Sequence, residues 1–328
     1  MVLDFEKEKL IRELKLKKPK KILIQLPEGI KKNALEISKI VEGLGIRCII
    51  SGETAWGGCS IAIQEAKALG VDLIVHFGHA EFIKTNFPTV YIKMKDILDL
   101  KPLLERSLKE LKKYKKIGFS YSIQNQHEVK DIKNFYEQKG KKLILSEKVG
   151  LVEGKGHIIG CQYGGLKKIE SKVDCFLVLG NRFHSIGASL AVKKPVILLD
   201  VYNQEVSEMD DIKDKILKQR AFSIEKLKEA KKVGIISEIK SGQIFGSAEI
   251  LLKKIKKYGK EGIIITMSEI TPEKIMNFYD IEAFVELACP RIAIDDFHKY
   301  HKPILTLKEA LVALGEKSWE ELLEEGIL

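Results

Sequence analysis

Asp72-Leu73-Ile74-Val75-His76-Phe77-Gly78-His79 decides the fold: an acidic residue opens a short apolar run, and a small residue stands six positions after it. The pattern returns as Asp174-Cys175-Phe176-Leu177-Val178-Leu179-Gly180-Asn181 and as Glu282-Ala283-Phe284-Val285-Glu286-Leu287-Ala288-Cys289. Near-continuous apolar runs of this length read as strands covered on both faces, the kind that parallel sheets use. Upstream of each run, a charged helical stretch leads through a lysine pair into another apolar strand. Residues 10–18 are stopped by Pro19 before Lys20-Lys21-Ile22-Leu23-Ile24, residues 104–114 run into Lys115-Lys116-Ile117-Gly118-Phe119, and residues 227–230 into Lys231-Lys232-Val233-Gly234-Ile235-Ile236. Between the shared segments lie a further strand and helix, residues 48–52 and 61–69 in the first copy. A last strand closes each copy, at residues 90–93, 195–200 and 303–305.

This internal repeat predicts an α/β protein of three homologous small domains with mainly parallel sheets, at residues 1–100, 101–220 and 221–328. The boundaries fall on connecting helices. Packed around a pseudo-threefold axis with their strand exits inward, the copies would gather their loops in one place, because functional groups of such units belong at the carboxyl ends of the strands.

With 45% hydrophobic and 31% charged residues in 328, the chain is long enough to bury real cores and reads as soluble and globular. Met1-Val2-Leu3-Asp4-Phe5-Glu6 carries acid where a signal peptide would carry base, and no apolar run reaches the length of a membrane span. A cytoplasmic protein with no membrane association is expected. Five cysteines are too few and too scattered for a disulfide framework, and the odd count leaves one unpaired. The formal charge of +10 is spread over helical faces such as Lys253, Lys254, Lys256 and Lys257, as solvated lysines are. No basic patch is interleaved with aromatic residues, so direct nucleic-acid binding is not expected.

Cys48 and Cys175 sit inside apolar strands and read as small hydrophobes. Cys59, Cys161 and Cys289 differ. Each lies in a loop beside glycine, alanine or proline: Ser51-Gly52-Glu53-Thr54-Ala55-Trp56-Gly57-Gly58-Cys59-Ser60, Gly160-Cys161-Gln162-Tyr163-Gly164-Gly165, and Ala288-Cys289-Pro290-Arg291. Small neighbours let a bulky centre approach the backbone, whose N–H groups can then reach its sulfurs. Cys59 and Cys161 follow the second strand of their copies and Cys289 follows the third, so their convergence is inferred from the repeat and not from local spacing. Three thiolates suit a zinc ion with an open position or a 4Fe-4S cluster with one iron free for substrate. The residues leave both open. His76, His79 and His184 also stand at strand exits, where hydrogen-bonded polar residues are the ordinary occupants, and they are not assigned as ligands.

Other loops at the strand exits carry Leu26-Pro27-Glu28-Gly29, Asn181-Arg182-Phe183-His184-Ser185 and Ser237-Glu238-Ile239-Lys240-Ser241-Gly242-Gln243. Gln243 can both donate and accept, and Arg182 or Arg291 could clamp a carboxylate. No phosphate-binding loop, dinucleotide fingerprint or tight cysteine triplet is present.

Taken in order, Gly52–Cys59, Phe77-Gly78-His79-Ala80, Gly160-Cys161-Gln162, Asn181-Arg182-Phe183-His184, Ser241-Gly242-Gln243 and Cys289-Pro290-Arg291 resemble the archaeal family of enzymes of the first step of diphthamide biosynthesis. The resemblance spans the chain. It implies three α/β domains that each give one cysteine to a 4Fe-4S cluster, and a homodimer. It further implies reductive cleavage of S-adenosylmethionine to a 3-amino-3-carboxypropyl radical and methylthioadenosine, with an electron donor supplying the reducing equivalent. The radical would add to C2 of one histidine imidazole in translation elongation factor two. Cys59, Cys161 and Cys289 are then the cluster ligands, and Gln243 and Arg291, from their loop positions, are assigned to S-adenosylmethionine.

Two other functions compete. A quinolinate-synthase-like dehydratase would use a three-cysteine 4Fe-4S cluster as a Lewis acid, with no radical. A non-catalytic, zinc-stabilised binding protein of the translation apparatus would rest on the positive charge alone.

Overall fold

The computed structural model describes residues 2–240 and 242–328; Met1 and Ser241, the first residue of the Ser241-Gly242-Gln243 motif, lie outside the described residues. In chain order the strands are β1 (Val2–Asp4), β2 (Lys21–Gln25), β3 (Arg47–Ile50), β4 (Leu73–Phe77), β5 (Thr89–Ile92) and β6 (Lys95–Ile97). There follow β7 (Lys116–Tyr121), β8 (Lys142–Leu145), β9 (Cys175–Gly180), β10 (Val196–Asp200), β11 (Glu205–Glu208), β12 (Lys232–Glu238), β13 (Glu261–Met267), β14 (Ala283–Glu286) and β15 (Ile304–Thr306).

Three sheets share one topology. Their orders are β3-β2-β4-β5, β8-β7-β9-β10 and β13-β12-β14-β15, every one of these pairings parallel. The first strand of each sheet therefore lies between the second and third, and the order reverses beside it, which opens a crevice at the carboxyl ends. Two pairings are antiparallel: β11 extends the second sheet at β10, and β1 joins β6 in a two-stranded ribbon.

The repeated lysine pair and acidic residue have one structural explanation. Asp72 Oδ2 accepts from the N–H groups of Lys20 and Lys21 at 2.8 and 2.9 Å, and Asp174 Oδ2 from Lys115 and Lys116, both at 2.8 Å. Glu282, one methylene longer, makes the same fork unevenly, at 2.5 Å to Lys231 N and 3.5 Å to Lys232 N. In each sheet the carboxylate at the start of the third strand thus ties down the amides that start the central one.

Apolar side chains cover both faces of the sheets. The central strands are buried nearly throughout, with Leu23, Val75, Phe119, Leu177, Ile235 and Val285 at 0% exposure. The helix before β2 runs over Lys7–Lys17 and ends at Lys18, whose left-handed conformation (φ 47°) lets its N–H bond to Leu14 O ahead of Pro19. Residue 220 falls within the helix Asp210–Glu229, not at its end. There Arg220, fully buried, pairs with both oxygens of Glu309 at 2.6 and 2.7 Å and donates to Ala293 O and Ile304 O, so this connecting helix is bound to the third sheet's surroundings. Among the described residues no helix is long and apolar enough to cross a membrane.

Candidate metal and substrate site

The three cysteine loops are built differently and end in the same place. Cys59 follows β3 in a tight turn in which the Ser60 N–H and hydroxyl both donate to Gly57 O, at 3.0 and 3.2 Å. Gln25, at the end of β2, holds that turn by donating from Nε2 to Ser60 O at 2.7 Å. Cys161 follows β8 in a segment closed by a bridge between Ile159 and Gln162, and the Tyr163 hydroxyl donates to Gly160 O at 3.1 Å. Cys289 follows β14, where Ala288 N–H donates to the Glu286 carboxylate at 2.8 Å and Ile292 N–H to Cys289 O at 2.9 Å. All three line one cavity of about 500 Å³ at the carboxyl ends of the three sheets. Cys48 and Cys175 lie within β3 and β9, away from it.

Contacts between the surroundings of each pair of the three sheets wall the cavity. Gly242 N–H donates to Cys59 O at 3.0 Å, joining third to first. Tyr202 donates to Asp96 at 2.7 Å, joining second to first. Arg291 Nη2 donates to Phe183 O at 2.6 Å, joining third to second. Small residues make these approaches possible. A Cβ at Gly242 would stand 2.5 Å from Cys59 O, and one at Gly187 would stand 1.9 Å from the Tyr163 hydroxyl and 2.3 Å from Arg291 Nη1.

Burial holds the thiols protonated. It pushes Cys161 up to about 12, with the nearby Cys59 adding to the shift. Cys289 is raised well above its ordinary value by burial, then by the Glu286 carboxyl, with Cys59 and Cys161 contributing. Cys59 is raised by burial too, offset in part by hydrogen bonds that include one from the Gln243 side chain. Cys161 senses Cys59, and Cys289 senses both, so the anionic state of these half-buried sulfurs calls for a bound cation. A single zinc ion would draw its sulfurs to within roughly 4 Å of one another. Among the described residues no three Cys, His, Asp or Glu side chains stand closely enough to hold one ion. The donor chemistry, three sulfurs lining one cavity of about 500 Å³, fits the larger 4Fe-4S group.

Gln243 and Arg291 both line the cavity. Gln243 is 2% exposed and its Oε1 has no hydrogen-bond partner among the described residues. Arg291 is more committed than a free clamp would be. Its guanidinium pairs with Asp295, donates to Phe183 O, reaches the Tyr163 hydroxyl at 3.3 Å and stacks 4.1 Å over the Phe183 ring. Arg182 points elsewhere, to Glu205 at the surface.

The histidines at the strand exits are hydrogen-bonded, as expected of polar residues there. His76 links Gln25 Oε1 and His79 at 2.9 Å each, and His184 Nδ1 meets Asn181 Oδ1 at 2.9 Å. His79 and His184 also line the cavity, together with His157, which the sequence had not singled out. Burial lowers His79 and His157 to about 4 and His184 to about 3, so all three are neutral bases at pH 7.

The fold and site thus define an α/β protein with a half-buried three-cysteine centre at the meeting point of three parallel sheets. Residues 26–323 match the family described as "Putative diphthamide synthesis protein". The chain is 31% identical to the 2-(3-amino-3-carboxypropyl)histidine synthase of Pyrococcus horikoshii, over 98% of this chain and 95% of that protein. It is also 31% identical to the synthase subunit 1 of Gibberella zeae, over 96% of this chain and 69% of the relative. Among solved structures, Dph2 from Pyrococcus horikoshii with a 4Fe-4S cluster superposes with a TM-score of 0.89 at 31% identity, covering 100% of this chain and 95% of that one. This chain belongs to the diphthamide synthesis family and is an enzyme of it, a transferase of the 2-(3-amino-3-carboxypropyl)histidine synthase type.

Proposed function

We propose that this enzyme transfers the 3-amino-3-carboxypropyl group of S-adenosylmethionine to C2 of a histidine imidazole in translation elongation factor two, the first step of diphthamide synthesis. The units 1–100, 101–220 and 221–328 each supply one ligand, Cys59, Cys161 and Cys289, to a 4Fe-4S cluster. When bound, the cluster supplies an electron, drawn from an external donor, for reductive cleavage of the sulfonium to a 3-amino-3-carboxypropyl radical and methylthioadenosine. The protein's own residues position and enclose. Gly57 keeps the space beside Cys59 open, since a Cβ there would stand 3.4 Å from its Sγ, while the absence of a Cβ at Gly160 lets the Phe183 ring pack against the Cys161 loop; Phe82, Phe183 and Ile270 give the cavity an apolar wall against water. His79, His157 and His184, kept neutral by burial, give the cavity uncharged hydrogen-bonding groups. Gln243, through its open Oε1, and Arg291, through its one uncommitted N–H, face the amino-acid end of S-adenosylmethionine. The working form is a cytoplasmic homodimer.

The observation that carries this reading is the convergence of three cysteines from three separate sheets on one cavity, in a chain of this family. The test is incubation of anaerobically prepared, reduced protein with S-adenosylmethionine. Methylthioadenosine in the product mixture is expected. Iron-loaded protein that leaves S-adenosylmethionine intact would overturn the proposal, and unchanged S-adenosylmethionine affinity in Gln243→Ala and Arg291→Ala would remove those two residues from it.

A further inference from the structure

The loop that leaves β12 holds two buried oxygen acceptors that find no partner among the described residues. Glu238, the last residue of β12, is 3% exposed. Its Oε1 accepts from Ile270 N–H at 3.1 Å, while Oε2 has no partner. Five residues on, Gln243 is 2% exposed and its Oε1 is likewise unpartnered. Both side chains line the three-cysteine cavity. Buried polar atoms are ordinarily paired, and two open acceptors facing one cavity are complementary to a ligand that brings donors.

Their surroundings narrow the ligand's chemistry. The residue before Gln243 is tied to the first cysteine, Gly242 N–H donating to Cys59 O at 3.0 Å. Glu238, Gln243 and Cys59 line the same cavity, and the Gly242 bond draws this loop against Cys59, so both acceptors stand on the side of the first cysteine. A carboxylate enclosed this far is best compensated by a cation with several N–H donors. Lys240 exerts some charge on Glu238 without closing a hydrogen bond to Oε2.

Resting on the function proposed above, we propose that Glu238 Oε2 and Gln243 Oε1 together take the α-ammonium group of the sulfonium substrate, fixing the amino-acid end beside Cys59. An ammonium offers three donors, enough for both oxygens and one further contact. The subsite selects for the amine: the methylthioadenosine half of the molecule lies outside its reach, and an analogue that lacks the amine leaves both acceptors unpaired. Glu238→Gln is the informative substitution, since it keeps the shape and an oxygen for Ile270 N–H while removing the charge and one acceptor.

The experiment measures equilibrium binding of three probes to anaerobically reconstituted wild type, Glu238→Gln and Gln243→Leu: S-adenosylmethionine, its deaminated analogue, and methylthioadenosine. Iron content and melting temperature are followed in parallel to confirm that each variant is loaded and folded. Wild type is expected to prefer S-adenosylmethionine to the deaminated analogue by about ten-fold or more, as a hydrogen bond to a charged group allows. Both variants should lose that preference while binding methylthioadenosine as wild type does. A preference that survives in both folded, loaded variants, or an equal loss of all three probes, would overturn the subsite and leave the proposed function standing. Wild type that binds no S-adenosylmethionine would overturn the function and the subsite together.

Discussion

Replacing Gly242 by alanine tests how tightly the third unit grips the first at the metal site. The added Cβ would lie 2.5 Å from Cys59 O, 2.7 Å from its Cα and 2.9 Å from its Cβ, whereas ordinary contact begins at 3.4 Å. All three obstacles belong to the cysteine's backbone or first side-chain carbon, so no flexible tip can swing away. The two loops must part by roughly 1 Å, a strain of about 1–3 kcal/mol. The Gly242 N–H bond to Cys59 O, now 3.0 Å, stretches out of range and removes about 1 kcal/mol more. Metal ligation tolerates displacements of only about 0.2 Å, so the effect on the centre exceeds the effect on the fold. Iron retained after anaerobic reconstitution and challenge with a chelator, together with a urea unfolding curve, measures both. Gly242→Ala should lose iron markedly faster than wild type and unfold at lower urea, while Gly52→Ala, where an added Cβ meets nothing within 4 Å, should match wild type. Equal iron retention in Gly242→Ala and wild type would refute the reasoning.

Two further outcomes follow from buried charge. Arg220→Met strands the Glu309 carboxylate, which also accepts from Thr306 N–H at 2.8 Å, and should reduce stability by about 3–5 kcal/mol in chemical denaturation; replacing Glu309 as well should restore part of it. The folded-state values of His79, His157 and His184 lie below the ordinary 6.5, so between pH 6.5 and about 4 the unfolded chain binds more protons than the folded one. Stability is therefore full above pH 6.5 and falls as pH drops toward 4, by up to roughly 3 kcal/mol for each of these imidazoles; a melting temperature flat from pH 7 to 4.5 would contradict this.

Much of this architecture is legible because the same local problem is solved three times. The lysine pair and the acidic residue 51 to 59 positions on stand out in the sequence as a repeat, and the carboxylate fork onto two amides is the interaction that makes them one. Pro19 marks a helix end within two residues, whereas the helix of the second copy closes at Glu110, short of the expected 114, where no proline or glycine signals the stop. The ribbon of β1 with β6 and the added strand β11 escape notice because three or four residues without alternation carry no periodic signal. The cysteines are found through their glycine loops and the repeat. Arg291 illustrates the limit: its position in the cavity follows from Cys289-Pro290-Arg291, but its pairing with Asp295 and its stacking on Phe183 depend on contacts across units. His157 hides in Glu153-Gly154-Lys155-Gly156-His157, which reads as a turn, and Gly156 does adopt φ 81° there. Glu238 stands in plain view at a strand end, yet only packing reveals that one of its oxygens is left without a partner.

The proposed function requires that Cys59, Cys161 and Cys289 hold one iron–sulfur cluster. It is tested most directly by iron and sulfide analysis with a visible absorption spectrum, on protein purified without oxygen, for wild type and for alanine variants of each of the five cysteines. About four irons per chain are expected in wild type, Cys48→Ala and Cys175→Ala, with the cluster lost or made labile in Cys59→Ala, Cys161→Ala and Cys289→Ala. Bound zinc in place of iron, or a cluster equally stable in all five variants, would contradict it.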